Sequence, residues 1–184
     1  DNPRNWIRIV KDDGRAGAVQ GHEIDFAKPL DIIEFDGRPM PQGKQQENWV
    51  IDNNSCRKTG SRSQDVLDWA FQQYSYNDFW GNYKSFLNED EFNAVHVPSE
   101  SILKVSDVDI YKNNSNKWKI DFSWHKARFK IKGVSLTDPD YYDNDHLVHI
   151  DNAYIVTSIP KECDWTHPDS GEHQAYKFVS KVYE

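Results

Sequence analysis

Cysteine is scarce in this chain: Cys56 and Cys163 are the only two among 184 residues. Small secreted domains usually carry a framework of several disulfides, so this pair reads as the thiols of a reduced, cytoplasmic protein, with one distant disulfide as the alternative. No apolar run approaches the roughly 20 residues that a membrane-spanning helix needs, and no secretory leader pattern appears. The chain opens on Asp1 instead of methionine, which raises the expectation of an upstream tag, propeptide or strand. Compact catalytic signatures are missing as well. There is no Gly-rich phosphate loop ending in Gly-Lys-Ser/Thr, no G-x-G-x-x-G and no G-x-S-x-G elbow. Pro-Asp occurs at 139–140 and 168–169, but no suitably spaced Asp/Glu-x-Lys follows to complete a metal-nuclease pattern. These absences point to a non-enzymatic protein without a cofactor. They leave a dispersed active site open.

Aromatic residues are abundant: seven Trp, nine Tyr and nine Phe stand beside a single Met. Such side chains favour flat β surfaces over packed helices, and the apolar content suffices for a core. The net charge is −8, but it is unevenly spread. Residues 1–62 hold ten basic and ten acidic side chains, 63–116 three against nine, and 134–184 three against ten. Between them Lys117–Gly133 (KWKIDFSWHKARFKIKG) carries six Lys or Arg against one Asp. Polyanion binding by the whole surface is excluded by this balance, so any anion site is local.

Hydrophobic period places the elements. Asn5–Val10, Leu30–Phe35 and Gln45–Ile51 read as strands, and Ser55–Arg62 reads as a polar linker. Val66, Leu67, Ala70, Phe71 and Tyr74 fall on one helical face with Ser63 as N-cap, and a shorter turn follows near Asp78–Phe86. Beyond them come Ile102–Val105 with Val108–Tyr111, a turn at Asn113–Asn116, then Trp118–Trp124, Ala127–Lys132, Leu147–Ile150, Tyr154–Ile159 and Tyr176–Tyr183. The fold class is mainly β, a barrel or sandwich of short strands.

The basic stretch reads as a hairpin turning at His125-Lys126. Opposed residues are then Trp124 with Ala127, Phe122 with Phe129 and Ile120 with Ile131 on the apolar face. Ser123 with Arg128, Asp121 with Lys130 and Lys119 with Lys132 form the polar face. This register buries Phe129 and leaves Lys119, Arg128, Lys130 and Lys132 as a patch that either is simply solvated or contacts phosphate.

Other candidates carry the same ambiguity. Trp6 and Arg8 share a strand face and could stack on a base or hold a phosphate; alternatively Trp6 covers a barrel end and Arg8 pairs with an acid such as Glu34. Gln46 and Asn48, in Gln46-Glu47-Asn48-Trp49, suit a base edge or a loop cap. The run Asp138–Asp151 invites a metal, but it lacks the calcium-loop pattern, and Asp138-Pro139 more simply starts a turn. Cys163, His167 and His173 fall short of the four ligands of a structural zinc site and read as a polar hairpin loop.

Asn5-Trp6-Ile7-Arg8, Leu30-Asp31-Ile32-Ile33-Glu34, Gln46-Glu47-Asn48-Trp49, Ser135-Leu136-Thr137-Asp138-Pro139, the strand Tyr154–Ser158 and Tyr176-Lys177-Phe178-Val179 come in that order. Together they resemble the bacterial dual OB-containing domain family, which has no settled catalytic residues to carry over. The resemblance implies two OB-like β-barrels with a helical insert between them: 1–54, the first, expected to lack its opening strand; 55–94, the insert; and 95–184, the second. It also implies a binding module for nucleic acid or a nucleotide-like ligand, with a protein-interaction domain as the rival and a metal-dependent hydrolase as a third reading. Two departures stand out. His125-Lys126 occupies a place where a Gly-containing turn is expected, and the long loop to His173 is peculiar to this chain.

Overall fold

The computed structural model describes residues 7–11, 26–52, 55–74, 79–144 and 146–184. Thirteen strands and two helices among them make the chain mainly β. In the first part the strands are β1 (Arg8–Val10), β2 (Asp31–Glu34), β3 (Gly37–Pro39), β4 (Asn48–Ile51) and β5 (Arg57–Ser61). β4 lies between β1, parallel to it, and β3, antiparallel to it, while β2 pairs with β5 in a separate two-stranded sheet. The polar stretch read as a linker is therefore a strand. Its polar composition reflects its exposed sheet, with Lys58 and Arg57 paired to Asp31 and Glu34 of β2.

Helix α1 (Val66–Tyr74) follows, and its expected apolar face buries Leu67. Turn and bend conformation over 79–85 falls within the turn expected near Asp78–Phe86, of which Asp78 lies outside the described residues, and it leads into β6 (Phe86–Asn88) and a second, short helix, α2 (Glu89–Asn93). Asn88 caps α2 by accepting from the Glu91 amide while the Glu91 carboxylate accepts from the Asn88 amide. The Asn-x-x-Glu spacing is the sequence signal of that capping box.

The remaining strands are β7 (Glu100–Lys112), β8 (Trp118–Ser123), β9 (Ile131–Leu136), β10 (Val148–Ser158), β11 (Trp165–Thr166), β12 (His173–Tyr176) and β13 (Phe178–Tyr183). β7, β8, β9, β13 and β10 close in that order into a barrel, with β10 returning to pair with β7. Only the β9–β13 pair is parallel. Inside lie Ile110, Ile120, Phe122, Ile131, Val134, Ile155 and Val179, each almost wholly excluded from solvent. Every such side chain is worth roughly 1.5–3 kcal/mol of burial, so this barrel is the hydrophobic centre of the chain. A bulge between Ser106 and Asp109 joins what read as two short strands into the single strand β7, with Asp107 in the left-handed region at φ 52. The expected Asn113–Asn116 turn links β7 to β8, closed by Asn113 and Lys117. β11, β12 and β6 make a small sheet beside the barrel.

The expected hairpin register is not the one formed. Ile120 faces Val134, Lys119 faces Ser135 and Phe122 faces Ile131, so β9 starts at Ile131 and Trp124–Lys130 becomes a loop. The reason lies across the barrel: Ser135 and Leu136 are claimed by Phe178 and Val179 of β13, which draws β9 forward along the chain. Phe129, expected in the core, is thereby ejected and is 75% exposed. Phe122 and Trp124 remain buried as expected.

The segment Pro41–Glu47 docks the first part onto the second. The Lys44 ammonium donates to the carbonyls of Asn93 (3.0 Å) and Val95 (2.7 Å), and the Gln45 amide donates to the Ile159 carbonyl. Gly43 has φ +51, and a Cβ there would lie 2.1 Å from the Lys161 carbonyl oxygen. Gly43→Ala combines a left-handed penalty with a backbone clash. It should lower unfolding stability by about 2 kcal/mol or more, measured by urea denaturation. A change within experimental scatter would mean the docking contact is not maintained in solution.

Candidate ligand-binding site on the closed barrel

Strand alternation puts Ile120 and Phe122 of β8 inside and Lys119, Asp121 and Ser123 outside. On β9 Lys132 and Ser135 face outward. Most of this face satisfies itself. The Lys119 ammonium donates to Ser135 Oγ at 3.0 Å, and burial, followed by the nearby Lys117 charge, lowers its pKa. Asp121 Oδ1 accepts from the Tyr111 hydroxyl (2.9 Å) and the Gly133 amide (2.7 Å). Burial, reinforced by that hydrogen bond and the Asp121 charge, pushes the Tyr111 phenol up to about 12.

Lys130 is also engaged. Its ammonium lies 2.6 Å from Asp109 and 3.0 Å from Asp107, the residue turned by the β7 bulge. Burial works against its charge, but the hydrogen bonds it donates to the two aspartates outweigh it and raise its pKa. His149 Nδ1 stands 2.7 Å from the other Asp109 oxygen, and its Nε2 3.6 Å from Asp151. Hydrogen bonds from Lys130 and then His149 hold the Asp109 carboxyl below its usual range. Asp107, Asp109 and His149 form the one group of three ligating side chains that converges within 4.8 Å among the described residues. The Lys130 ammonium already supplies the positive charge there. Of the Asp138–Asp151 run, only His149 belongs to this group, and its two partners lie on β7. Asp138 itself caps the turn at Pro139–Tyr141, as Asp138-Pro139 suggests, and binds the Val182 amide and Lys181. Cys56 and Cys163 are free thiols. Cys163, His167 and His173 do not converge as a ligand group among the described residues.

The loop from β8 to β9 presents a different surface. Arg128 sits over the Phe129 ring, its guanidinium carbon 5.4 Å from the centroid, and both side chains are exposed, as is Lys132. Behind the loop, Trp124 is wedged edge-on between Phe79 and half-exposed Tyr83, with His125 at 5.6 Å. The buried Trp124 anchors the loop while the next residues project outward. Sequence reasoning missed Phe129 because the apolar pairing with Phe122 was self-consistent. The available signal was His125-Lys126, which lacks the residues of a tight turn.

The first-part candidates lie elsewhere. Arg8 is wedged between two acids, 3.1 Å from Glu100 and 3.6 Å from Glu47, and it donates to Ser99 Oγ. It therefore pairs with acids as one of its alternatives had it, but with these two; Glu34 instead holds Arg57. Asn48 is fully buried and donates to Gln45, and the Gln46 amide returns to the Gly43 carbonyl at 2.6 Å. Trp6 lies outside the described residues. Arg8, Gln46 and Asn48 thus belong to the junction between the two parts, whereas Lys119, Arg128, Lys130 and Lys132 gather on and around β8 and β9.

Five strands in this circular order, with the third and fifth parallel, are the Greek-key barrel of the OB type, a fold whose second and third strands, here β8 and β9, form a ligand face framed by the loops that join the first strand to the second and the fourth to the fifth. The chain belongs to the dual OB-containing domain family, which it matches over residues 1–182. No curated protein and no solved structure is significantly similar to it. No helix among the described residues is long and apolar enough to cross a membrane.

Proposed function

We propose that this chain is a cytoplasmic, non-enzymatic binding module that recognises nucleic acid or a nucleotide-like ligand at the loop between β8 and β9. One observation carries the reading: Phe129 is 75% exposed, with Arg128 over its ring. Keeping a phenylalanine in water loses its burial energy, and an exposed aromatic beside cations is the arrangement on which nucleobases stack while phosphates are neutralised. Arg128 and Lys132 supply the cations, whereas Lys119 and Lys130 position the strand and loop through Ser135, Asp107 and Asp109. In this reading the protein is built from two OB-type units around the connecting helices, and its ligand site is on the second.

Fluorescence anisotropy with labelled single- and double-stranded DNA and RNA at two salt concentrations tests the proposal. Phe129→Ala should weaken single-strand binding by about 5- to 150-fold, the range for losing one stacked base. Arg128→Ala/Lys132→Ala should flatten the salt dependence by about 1.4 in log–log slope, two phosphate contacts at about 0.7 each. No binding to any oligonucleotide at low salt would end this reading.

A further inference from the structure

The connection between β10 and β13 carries a second surface of opposite character. From Glu162 to Tyr176 it holds four carboxylates, Glu162, Asp164, Asp169 and Glu172, and no Lys or Arg. All four are exposed. Among them Trp165 stands 40% exposed on β11, edge-on to Tyr176 at 5.0 Å and to His167 at 5.6 Å. Tyr176 continues the aromatic row to Phe86 on β6, at 6.1 Å. Gln174, opposite Trp165 in the β11–β12 pair, is 5% exposed, and its Oε1 has no hydrogen-bond partner.

The hairpin tip is hydrogen-bonded internally. The amides of Asp169 and Ser170 donate to His167 Nδ1, the His167 amide donates to the Glu172 carbonyl, and the Gly171 amide returns to the His167 carbonyl. Because Nδ1 accepts these bonds, the His167 ring is held as the Nε2–H tautomer. These bonds close the backbone of the hairpin tip between His167 and Glu172 from within the tip itself.

We propose that this hairpin is a docking surface for a basic segment of a partner protein, whose Lys or Arg head groups lie on the Trp165 face and pair with Asp164, Asp169 and Glu172. Charge complementarity selects the occupant. A polyanion is repelled by four carboxylates, and an uncharged apolar segment leaves them desolvated without counter-ions. A cationic head group is attracted both by the ring face and by the acids. The surface is independent of the β8–β9 loop, so the protein has one face for an anion and another for a cation.

The test uses the full chain and fluorescein-labelled octa-arginine, octa-lysine and octa-glutamate peptides, read by anisotropy. Trp165→Ala alters no charge, yet it should weaken octa-arginine binding at least fivefold, and Trp165→Phe should recover most of it. Asp164→Asn/Glu172→Gln should weaken binding more than Asp143→Asn/Asp151→Asn, which removes equal charge elsewhere. Equal effects of the two charge pairs together with an unchanged Trp165→Ala would reduce the attraction to net charge and overturn the proposal. So would absence of binding to both cationic peptides. Concentration-dependent self-association of the chain, abolished by Arg128→Ala/Lys132→Ala, would make a second copy the occupant and overturn it as well.

Discussion

Lys177→Met should destabilise the protein by about 1–3 kcal/mol, the usual cost of leaving a buried polar partner unsatisfied. Lys177 is completely buried at the point where the chain leaves β12 and enters β13. Its ammonium donates to the Phe79 carbonyl (2.6 Å), the Asn82 carbonyl (2.8 Å) and Asn82 Oδ1 (2.8 Å), and it lies 4.1 Å from the Phe79 ring centroid. The segment it grips is strained: Phe79, Trp80 and Gly81 all have positive φ, at 47°, 58° and 87°. For Phe and Trp that region costs about 1–2 kcal/mol each. The barrel core benefits from that strain, because Phe79 packs edge-on against Phe122 at 6.0 Å and Trp124 at 6.4 Å. Methionine fills similar volume but leaves the buried Phe79 carbonyl and the half-buried Asn82 carbonyl without this donor, while Asn82 Oδ1 keeps the Lys84 amide. Lys177→Arg keeps the charge but replaces a compact ammonium with a planar fork, and it should recover little. Urea unfolding of the single variants and of a Lys177→Met/Asn82→Ala double variant measures the effect and its coupling. A Lys177→Met loss below about 1 kcal/mol would mean that the ammonium contributes no net stability.

Stability should fall as pH rises from 5 to 8, and Glu100→Gln should remove most of that slope. Burial pushes the Glu100 carboxyl from 4.5 up to about 7; the Arg8 guanidinium opposes the shift, and the Glu47 carboxylate adds to it. The groups facing Glu100 are Arg8 from β1, Glu47 from the segment before β4 and the neighbouring Ser99, whose hydroxyl donates to Glu47. One guanidinium thus serves two acids. Arg8 Nε and Glu47 Oε2 are buried without hydrogen-bond partners. The raised folded-state value means that the native protein holds a proton the unfolded chain has released. Between about 4.5 and 7 the native state therefore binds more protons, and stability declines with pH. A shift of this size corresponds to about 3 kcal/mol, present below the unfolded value and lost above about 7. His149 contributes in the same direction, because the hydrogen bond to Asp109 raises its pKa and its stabilising charge is lost as pH climbs. Unfolding series from pH 5 to 8 on the wild type, Glu100→Gln and His149→Asn separate the two. A slope that survives Glu100→Gln but vanishes in His149→Asn would assign it wholly to the surface pair. The readout matters beyond stability, since Arg8–Glu100 links β1 to the first residue of β7 and so ties the first part to the barrel.

Much of the architecture was legible in the chain itself. Period-two alternation located β8 but met β9 only at Ile131 and Lys132, Asn113–Asn116 announced its turn, and the helical face around Leu67 marked α1. The order of short motifs pointed to the family. Three features escaped. The polar strand β5 has no apolar alternation to betray it, because its sheet is exposed. Tyr176–Tyr183 reads as one strand but is broken at Lys177, whose partners lie in a distant segment. Ion pairs such as Lys130 with Asp107 and Asp109, or Arg8 with Glu47 and Glu100, join residues that no local pattern relates.

The β8–β9 register separates the two kinds of information most clearly. Alternation determines which residues of each strand face the core, and on that point sequence alone was decisive for Ile120, Phe122, Trp124 and Ile131. It does not distinguish registers that oppose apolar residues equally well, since Ile120 satisfies the rule against either Ile131 or Val134. The choice was made by β13, whose parallel pairing with Ser135 and Leu136 advances β9 and turns Trp124–Lys130 into a loop. Only closure of the barrel could place Phe129 in solvent under Arg128, because the contacts that exclude it from the core come from a strand more than 40 residues further along the chain.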